Sequence, residues 1–349
     1  MSLTLHVDGD CWRTHLRALA DSEPALVPVV KGNGYGFGLA RLARKAEWLG
    51  VDTLAVGTYD EVSAVEPRFD QDLLVLTPWR PFGAAKDQQS NPRLIHTVSR
   101  VVDIADLLNT QPGARFVLER ATSMLRHGMD ARALRAAGRV LKEAGRHRLE
   151  GIALHLPLEQ GSHLSEVQRL MHDVVAAELD TRTIWVSHLT RGELASLRAA
   201  FPEYVFRPRI GTDLWLGERA ALRVTATVLD VHPVQRGDVF GYRGRTAPRA
   251  GHVLVVSGGT AHGIGLESPT GDTSLKSRAA SIARGGLDAM GFVRSPYSID
   301  GKQRLFAEPP HMQASMLFLP AGARVPHVGD EIDVRVRFTA TQFDRVVVS

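Results

Sequence analysis

Between about residue 10 and residue 218 the chain alternates two textures. Short β-branched or apolar runs recur at Val27–Val30, Thr53–Val56, Leu73–Leu76, Arg115–Leu118, Gly151–Leu154, Thr183–Val186 and Val205–Arg207. Between them lie Ala/Leu/Arg/Glu-rich stretches with helical spacing, at Leu39–Leu49, Ala131–Ala144, Ser165–Leu179 and Gly192–Ala200. Strands alternating with helices imply a parallel sheet covered by helices. Seven or eight such units in roughly 210 residues fit an α/β fold of the (β/α)8 TIM-type barrel better than a smaller open sheet.

After residue 220 the alternation stops. Arg223–Val231, Asp238–Tyr242, Gly251–Val256, Met312–Leu319 and Glu331–Phe338 read as strands, with turn signals such as Arg236-Gly237-Asp238 and Val328-Gly329-Asp330 between them. An antiparallel β domain is expected. The organisation is thus a barrel over 10–220 and a β domain over 221–349, with residues 1–9 a strand that fits either. Residues 266–310, rich in Gly, Ser and Pro, read as a long loop excursion.

Composition narrows the function classes. The net charge is +4 and the isoelectric point about 9.4, but arginine is interspersed with Asp and Glu along all 349 residues. Nucleic-acid binding needs basic charge gathered on one face, so no nucleic-acid partner is expected. The lone cysteine, Cys11, excludes an internal disulfide framework. No signal-peptide pattern opens the chain, and no apolar run approaches the ~18 residues of a membrane span. The expectation is a cytoplasmic protein with no membrane partner. Histidines 155, 188 and 262 form no HxH or HxxxH pair, so no metal is expected.

Only six of the 42 Lys and Arg residues are lysine, at 31, 45, 86, 142, 276 and 302. Lys45 and Lys142 lie in helical stretches, and Lys86, Lys276 and Lys302 in polar loop-like ones. Lys31 alone ends a strand ahead of a glycine-rich turn, Gly32-Asn33-Gly34-Tyr35-Gly36-Phe37-Gly38. Strand ends of a barrel face the active-site mouth, so Lys31 is a candidate amine for a carbonyl cofactor. The plainer reading of the same position is a surface lysine ahead of a glycine turn.

The run from Lys31 to Gly38 resembles the cofactor-lysine motif of fold-type III pyridoxal-phosphate enzymes, the alanine racemase family in particular, which has Lys-Ala-Asn-Ala-Tyr-Gly-His-Gly there. Further segments resemble the family in the same order. These are Ser123–Met129, His155 after its strand, Ser187–Thr190, Arg209-Ile210-Gly211-Thr212-Asp213, Gly237–Tyr242, and Met312 within His311-Met312-Gln313. The resemblance covers nearly the whole chain. It implies a pyridoxal 5'-phosphate-dependent racemase of L- and D-amino acids, alanine by default, working as a homodimer whose active site is shared across subunits.

That resemblance assigns roles. Lys31 carries the cofactor and is the base on one face of the substrate, and Tyr242 is the base on the other. A phenol near its ordinary value of ~10 needs a cationic neighbour to serve at neutral pH, and His155 and Arg126 are the implied ones. Arg209 meets the pyridine nitrogen, in preference to Arg207, because Gly211 then occupies the glycine slot. Gly211 and Thr212 give amides and Tyr35 and Thr190 give hydroxyls to the phosphate, although a helix N-cap explains Thr190 equally well. His155 lies near the cofactor ring. Arg126 orients the substrate carboxylate or the Tyr242 phenol, and Met312 offers its backbone N–H to that carboxylate. Glu119, where the family commonly has a carbamylated lysine, is the expected anionic partner of Arg126.

The departures gather on the substrate side. Thr260 replaces a tyrosine that narrows the entrance, His262 replaces an aspartate, and Gln313 stands where another aspartate is usual. An altered relative acting on another amino acid, or serving as a cofactor- or partner-binding protein, is therefore the competing reading. Amino-acid decarboxylases of this fold place an acid at the ring nitrogen, which Arg209 disfavours. A lone-barrel cofactor-binding regulator lacks residues 220–349.

Overall fold

The computed structural model describes residues 2–88, 91–145, 147–158, 162–266 and 293–349. Its contacts divide the chain into two compact units, 14–217 and 1–13 with 218–349.

The first unit is a closed barrel of eight parallel strands, Val27–Val30, Thr53–Val56, Asp72–Pro78, Leu94–Val98, Arg115–Arg120, Arg148–Leu154, Thr183–Val186 and Val205–Ile210, in that order. Closure pairs the first with the last, Val27 opposite Arg209 and Pro28 opposite Ile210. The barrel interior is filled by Val27, Val29, Ala55, Leu74, Ile95, Val117, Ala153 and Trp185, a packed core rather than a pore. Arg115 clamps the N-terminal end of the barrel, bonding Asp72 at 2.5 Å and Glu150 at 2.7 Å.

The covering helices follow their apolar spacing. Leu39–Leu49 buries Leu42, Ala43, Ala46 and Leu49 and ends at Gly50, whose left-handed φ of +73° suits glycine. Ala131–Ala144 buries Leu134, Ala137 and Leu141, and Asp130 caps it by accepting from Ala133 N at 2.7 Å.

The strand Leu94–Val98 and the helices Gly9–Ser22 and Val101–Thr110 go beyond the elements expected from sequence. His96 and Thr97 break the apolar run of that strand, yet both are buried. Their partners come from other strands and loops: the Tyr59 hydroxyl lies 2.9 Å from His96 Nδ1, and Thr97 Oγ1 donates to Val75 O at 2.6 Å. Burial pulls the His96 imidazole down to about 4, so it is a neutral core group.

In the second unit an eight-stranded sheet runs Gly251–Ser257, Ala314–Pro320, Lys302–Phe306, Arg294–Ile299, Glu331–Val334, Leu222–Val234, Leu3–Val7 and Arg345–Val348, with Leu222–Val234 also pairing Gly251–Ser257. All pairs are antiparallel except Leu3–Val7 with Arg345–Val348. The N-terminal strand, open between the two domains in sequence, therefore belongs here. The expected loop over 266–310 is corrected in part: Arg294–Ile299 and Lys302–Phe306 form a hairpin, turned at Asp300-Gly301. Residues 267–292, Lys276 among them, lie outside the described residues. Three expected strands are shorter, Val239–Phe240, Ala314–Pro320 and Glu331–Val334, which leaves Tyr242 in a turn and Met312 in a bend.

One glycine bears on barrel stability. Phe116 pairs Leu149 and Val117 pairs Gly151, so the strand skips Glu150 at a bulge. Gly151 has φ +147°, and a Cβ there would lie 2.5 Å from Trp185 Nε1 and from Thr183 O. Trp185 Nε1 donates to Glu150 O at 3.1 Å and cannot retreat without breaking that bond. Gly151→Ala is expected to lower stability by about 3 kcal/mol through overpacking and backbone strain, read as a lower urea midpoint with unchanged slope.

Candidate active site

The path leaving the first barrel strand explains its glycines. Gly32, Gly34, Gly36 and Gly38 have φ of +60°, +62°, +88° and +83°, and Tyr35 between them has +54°. Residues with a Cβ lose roughly 1–2 kcal/mol in that region. Gly34 has a second reason, since a Cβ would lie 2.7 Å from Leu39 N. Tyr35 is held there by burial, 4% exposed, and a Cβ on Gly211 would overlap its phenol oxygen. The turn after Lys31 and the turn after Arg209 thus interlock. Burial, then Glu61, pushes the Tyr35 phenol up to about 12, so it stays a neutral donor.

Glu61 is a positioning residue absent from the sequence expectations. Its carboxylate accepts from Gly32 N at 2.7 Å, Gly57 N at 2.7 Å and Thr58 N at 3.2 Å. Two neighbouring strand-end turns are pinned to one side chain. Its signal was present in the sequence, the capping-box spacing of Thr58 and Glu61. Gly57 makes the approach possible, since a Cβ there would lie 2.9 Å from Lys31 Cβ.

Lys31, Glu119, Arg126, His155 and Arg209, distant in sequence, line one cavity of about 230 Å³ with Gly57 and Thr77. Burial, then Arg126 and Arg209, lower the Lys31 amine, against the opposing pull of Glu61. A lowered amine is a better nucleophile and base at neutral pH. Arg209 is 7% exposed and gives one nitrogen to Leu154 O at 3.0 Å, while its Nε is buried without a partner. Burial brings it down to about 10, Glu119 acting against that, so it remains a cation. Glu119 is 4% exposed with Oε2 unpartnered, and burial raises its carboxyl. Its main compensating charge is Arg209, ahead of Arg126. The expected partner, Arg126, acts on it in the same direction as Arg209 and less strongly.

His155 follows the strand Arg148–Leu154. Its Nδ1 lies 3.1 Å from Ser187 Oγ, which also accepts from Leu156 N at 3.2 Å, and its ring meets His188 edge-on at 5.3 Å. Burial, then Arg209 and Arg126, pull the imidazole down to about 3. His155 is therefore neutral at physiological pH, not the cation expected for activating a phenol. Thr190 takes the second of its two expected readings: its hydroxyl and Glu193 form a reciprocal N-cap of the helix Arg191–Ala200. Gly211 and Thr212 begin the short helix Thr212–Leu216, whose Trp215 donates to Val29 O at 2.8 Å on the strand preceding Lys31.

The β unit holds the remaining expected residues. Tyr242 is 91% exposed and Met312 72% exposed. The Tyr242 amide donates to Glu308 Oε1 at 3.1 Å, and its ring meets His311 at 5.3 Å and 85°. Thr260 starts a short turn in which His262 Nδ1 accepts from Gly259 N at 3.2 Å and Nε2 lies 3.0 Å from Asp344. Among the described residues no helix is long and apolar enough to cross a membrane.

Comparison with known proteins gives a consistent match. Residues 10–199 match the family model described as alanine racemase, N-terminal domain. An alanine racemase of Nitratidesulfovibrio vulgaris is 28% identical over 275 residues, covering 71% of this chain and 72% of that one. Among solved structures, the alanine racemase of Bartonella henselae with covalently bound pyridoxal phosphate is similar over 100% of both chains, at 16% identity and a TM-score of 0.71. The histidine racemase of Leuconostoc mesenteroides subsp. sake is similar over 99% of this chain and 98% of that one, at 16% identity and a TM-score of 0.69.

The His155 shift has a signed consequence for stability. Its pKa falls from 6.5 to about 3 on folding, so below pH 6.5 the unfolded chain takes a proton that the folded chain refuses. The associated stability is present above that pH and is lost as pH falls toward 3. His155→Asn is expected to flatten this part of the curve, shrinking the drop in urea midpoint between pH 7 and pH 5. An undiminished drop would assign the acid sensitivity elsewhere.

Proposed function

The chain belongs to the alanine racemase family, and from that premise we propose that it is a pyridoxal-phosphate-dependent amino-acid racemase with alanine as its default substrate. The observation that carries this is a lysine amine, lowered by burial and two arginines, in the same cavity as an unpartnered Arg209 Nε and Glu119 Oε2. Unpartnered buried polar atoms are rare, and a polar ligand in that cavity would satisfy them. The residues fit the cofactor: an amine for its aldehyde, a guanidinium for its pyridine nitrogen, and the neutral ring of His155 beside it. Tyr35 and the amides of Gly211 and Thr212 would hold the phosphate. Thr190 is left out, its hydroxyl being spent on a helix cap.

When bound, pyridoxal phosphate supplies the electron withdrawal that makes the substrate α-hydrogen acidic. Lys31 carries the cofactor and, once substrate has taken its place, holds or returns the α-proton on one face. Tyr242, contributed by the β unit, does so on the other. The fixed charge of Arg209 opposes protonation of the pyridine nitrogen. Arg126 and the Met312 N–H orient the substrate carboxylate, and Glu119 offsets the charge of Arg209 and Arg126. The working form is a cytoplasmic homodimer with each site shared across subunits. The exposure of Tyr242 and Met312 on the β unit supports it.

Incubation with L-alanine in deuterated water is expected to give D-alanine carrying solvent deuterium at the α-carbon. Lys31→Ala is expected to lose the visible absorbance of bound cofactor. Tyr242→Phe should keep that absorbance while slowing racemisation by about 10²–10⁴-fold. Because Thr260, His262 and Gln313 alter the substrate side, a panel of amino acids belongs in the same assay. Exchange with a larger amino acid but not alanine would reassign the substrate. Cofactor binding without exchange for any amino acid would reject the racemase assignment in favour of a binding protein.

A further inference from the structure

Glu308 is a carboxylate that the roles above leave unexplained. Its side chain is 1% exposed and accepts from three donors: Tyr242 N at 3.1 Å, Arg243 N at 3.4 Å, and the His311 ring, whose Nε2 lies 2.7 Å from Oε1. These donors hold its carboxyl below the usual range, against the opposing effect of burial. A buried carboxylate with this donor set stays ionised and fixes the tautomer of the imidazole bonded to it, with the proton on Nε2.

The surroundings leave this group little freedom. Gly241 has φ +75°, and a Cβ there would lie 2.5 Å from Glu308 Oε2, so the turn carrying Tyr242 folds directly over the carboxylate. Pro309 and Pro310 separate Glu308 from His311 and lock φ at two successive positions. The His311 backbone is tied at both ends, its N–H to Ala314 O at 2.9 Å and its carbonyl to Thr260 N at 2.8 Å. An imidazole fixed at backbone and at Nε2 is a rigid wall, and the Tyr242 ring stands against it edge to face at 5.3 Å. The phenol itself is exposed, so His311 is the aromatic partner that restrains it within this unit.

We propose that His311, locked by Glu308, is a positioning residue that fixes the Tyr242 phenol for proton transfer. This rests on Tyr242 acting as a base. Glu308 acts twice, through the backbone of the Tyr242 turn and through the imidazole, whereas His311 acts through ring contact alone.

The holoenzyme is prepared with 3-fluorotyrosine in place of its five tyrosines, and the Tyr242 resonance is assigned by its loss in Tyr242→Phe. In His311→Ala the Tyr242 signal alone is expected to shift and broaden. In that variant kcat should fall roughly 10- to 100-fold with little change in KM, as a misplaced reacting group requires. His311→Phe, which keeps the ring and loses the bond to Glu308, should recover part of the rate. His311→Gln, which keeps a donor and loses the ring, should recover less. An unmoved Tyr242 signal with unchanged kcat in His311→Ala overturns the proposal, as does better recovery by Gln than by Phe. If Tyr242→Phe leaves racemisation and α-deuterium exchange intact, Tyr242 is not a base and both readings fall. If Tyr242→Phe blocks exchange while His311→Ala is silent, only the positioning role falls.

Discussion

Everything in the barrel site depends on the closure of the first strand onto the last. Val27 lies opposite Arg209 and Pro28 opposite Ile210, so the turn carrying Lys31 and the turn carrying Gly211 emerge side by side. Two further links hold that seam, the Trp215 bond to Val29 O and the Tyr35 ring over Gly211. Residues nearly 180 apart in sequence thereby share one cavity. Without closure, Arg209 would lie on an open sheet edge and the Lys31 amine would keep its ordinary affinity for protons.

The charges gathered there are unbalanced by design of the sequence. Lys31, Arg126 and Arg209 face the cavity with Glu119, and Glu61 sits behind the Lys31 turn. Burial and mutual repulsion act in the same direction on the amine and on His155, so one is lowered and the other is neutral. Glu119 is raised by burial and drawn down by the arginines, which makes it the compensating charge for the group rather than for one partner. A surplus of positive charge in a small buried space favours an anionic occupant, as the proposed phosphate-bearing cofactor is.

The sequence made the barrel and its lysine legible because both depend on local signals. Strand–helix alternation is a periodicity, and the glycines after Lys31 mark a left-handed path that few other residues follow. Arg209 was legible from its glycine context. What escaped was set by partners remote in sequence. The strand Leu94–Val98 contains His96, whose partner Tyr59 is on another loop. Ser187 orients His155 from the neighbouring strand end. Tyr242 and Met312 look like strand residues by composition, but the carboxylate of Glu308 holds the Tyr242 amide in a turn.

These two classes of residue differ in how far a family resemblance carries over to them. Of the residues proposed to hold the cofactor, Tyr35 and Arg209 are buried and Lys31 is hemmed in by Gly57, which admits no Cβ, so substitution there disturbs the barrel itself. Apart from Arg126, the residues proposed for the substrate side lie in the β unit, where Thr260 and Met312 are exposed and bonded mainly through backbone atoms. Backbone bonding keeps the turn while the side chain is free to change. The departures from the family at 260 and 313 fall in that permissive class, whereas the His262 ring is bonded to Gly259 N and Asp344, and the retained Lys31, Tyr35 and Arg209 fall in the restrictive one. Cofactor chemistry is thus tied to the fold, whereas substrate choice is a property of side chains that the fold leaves open.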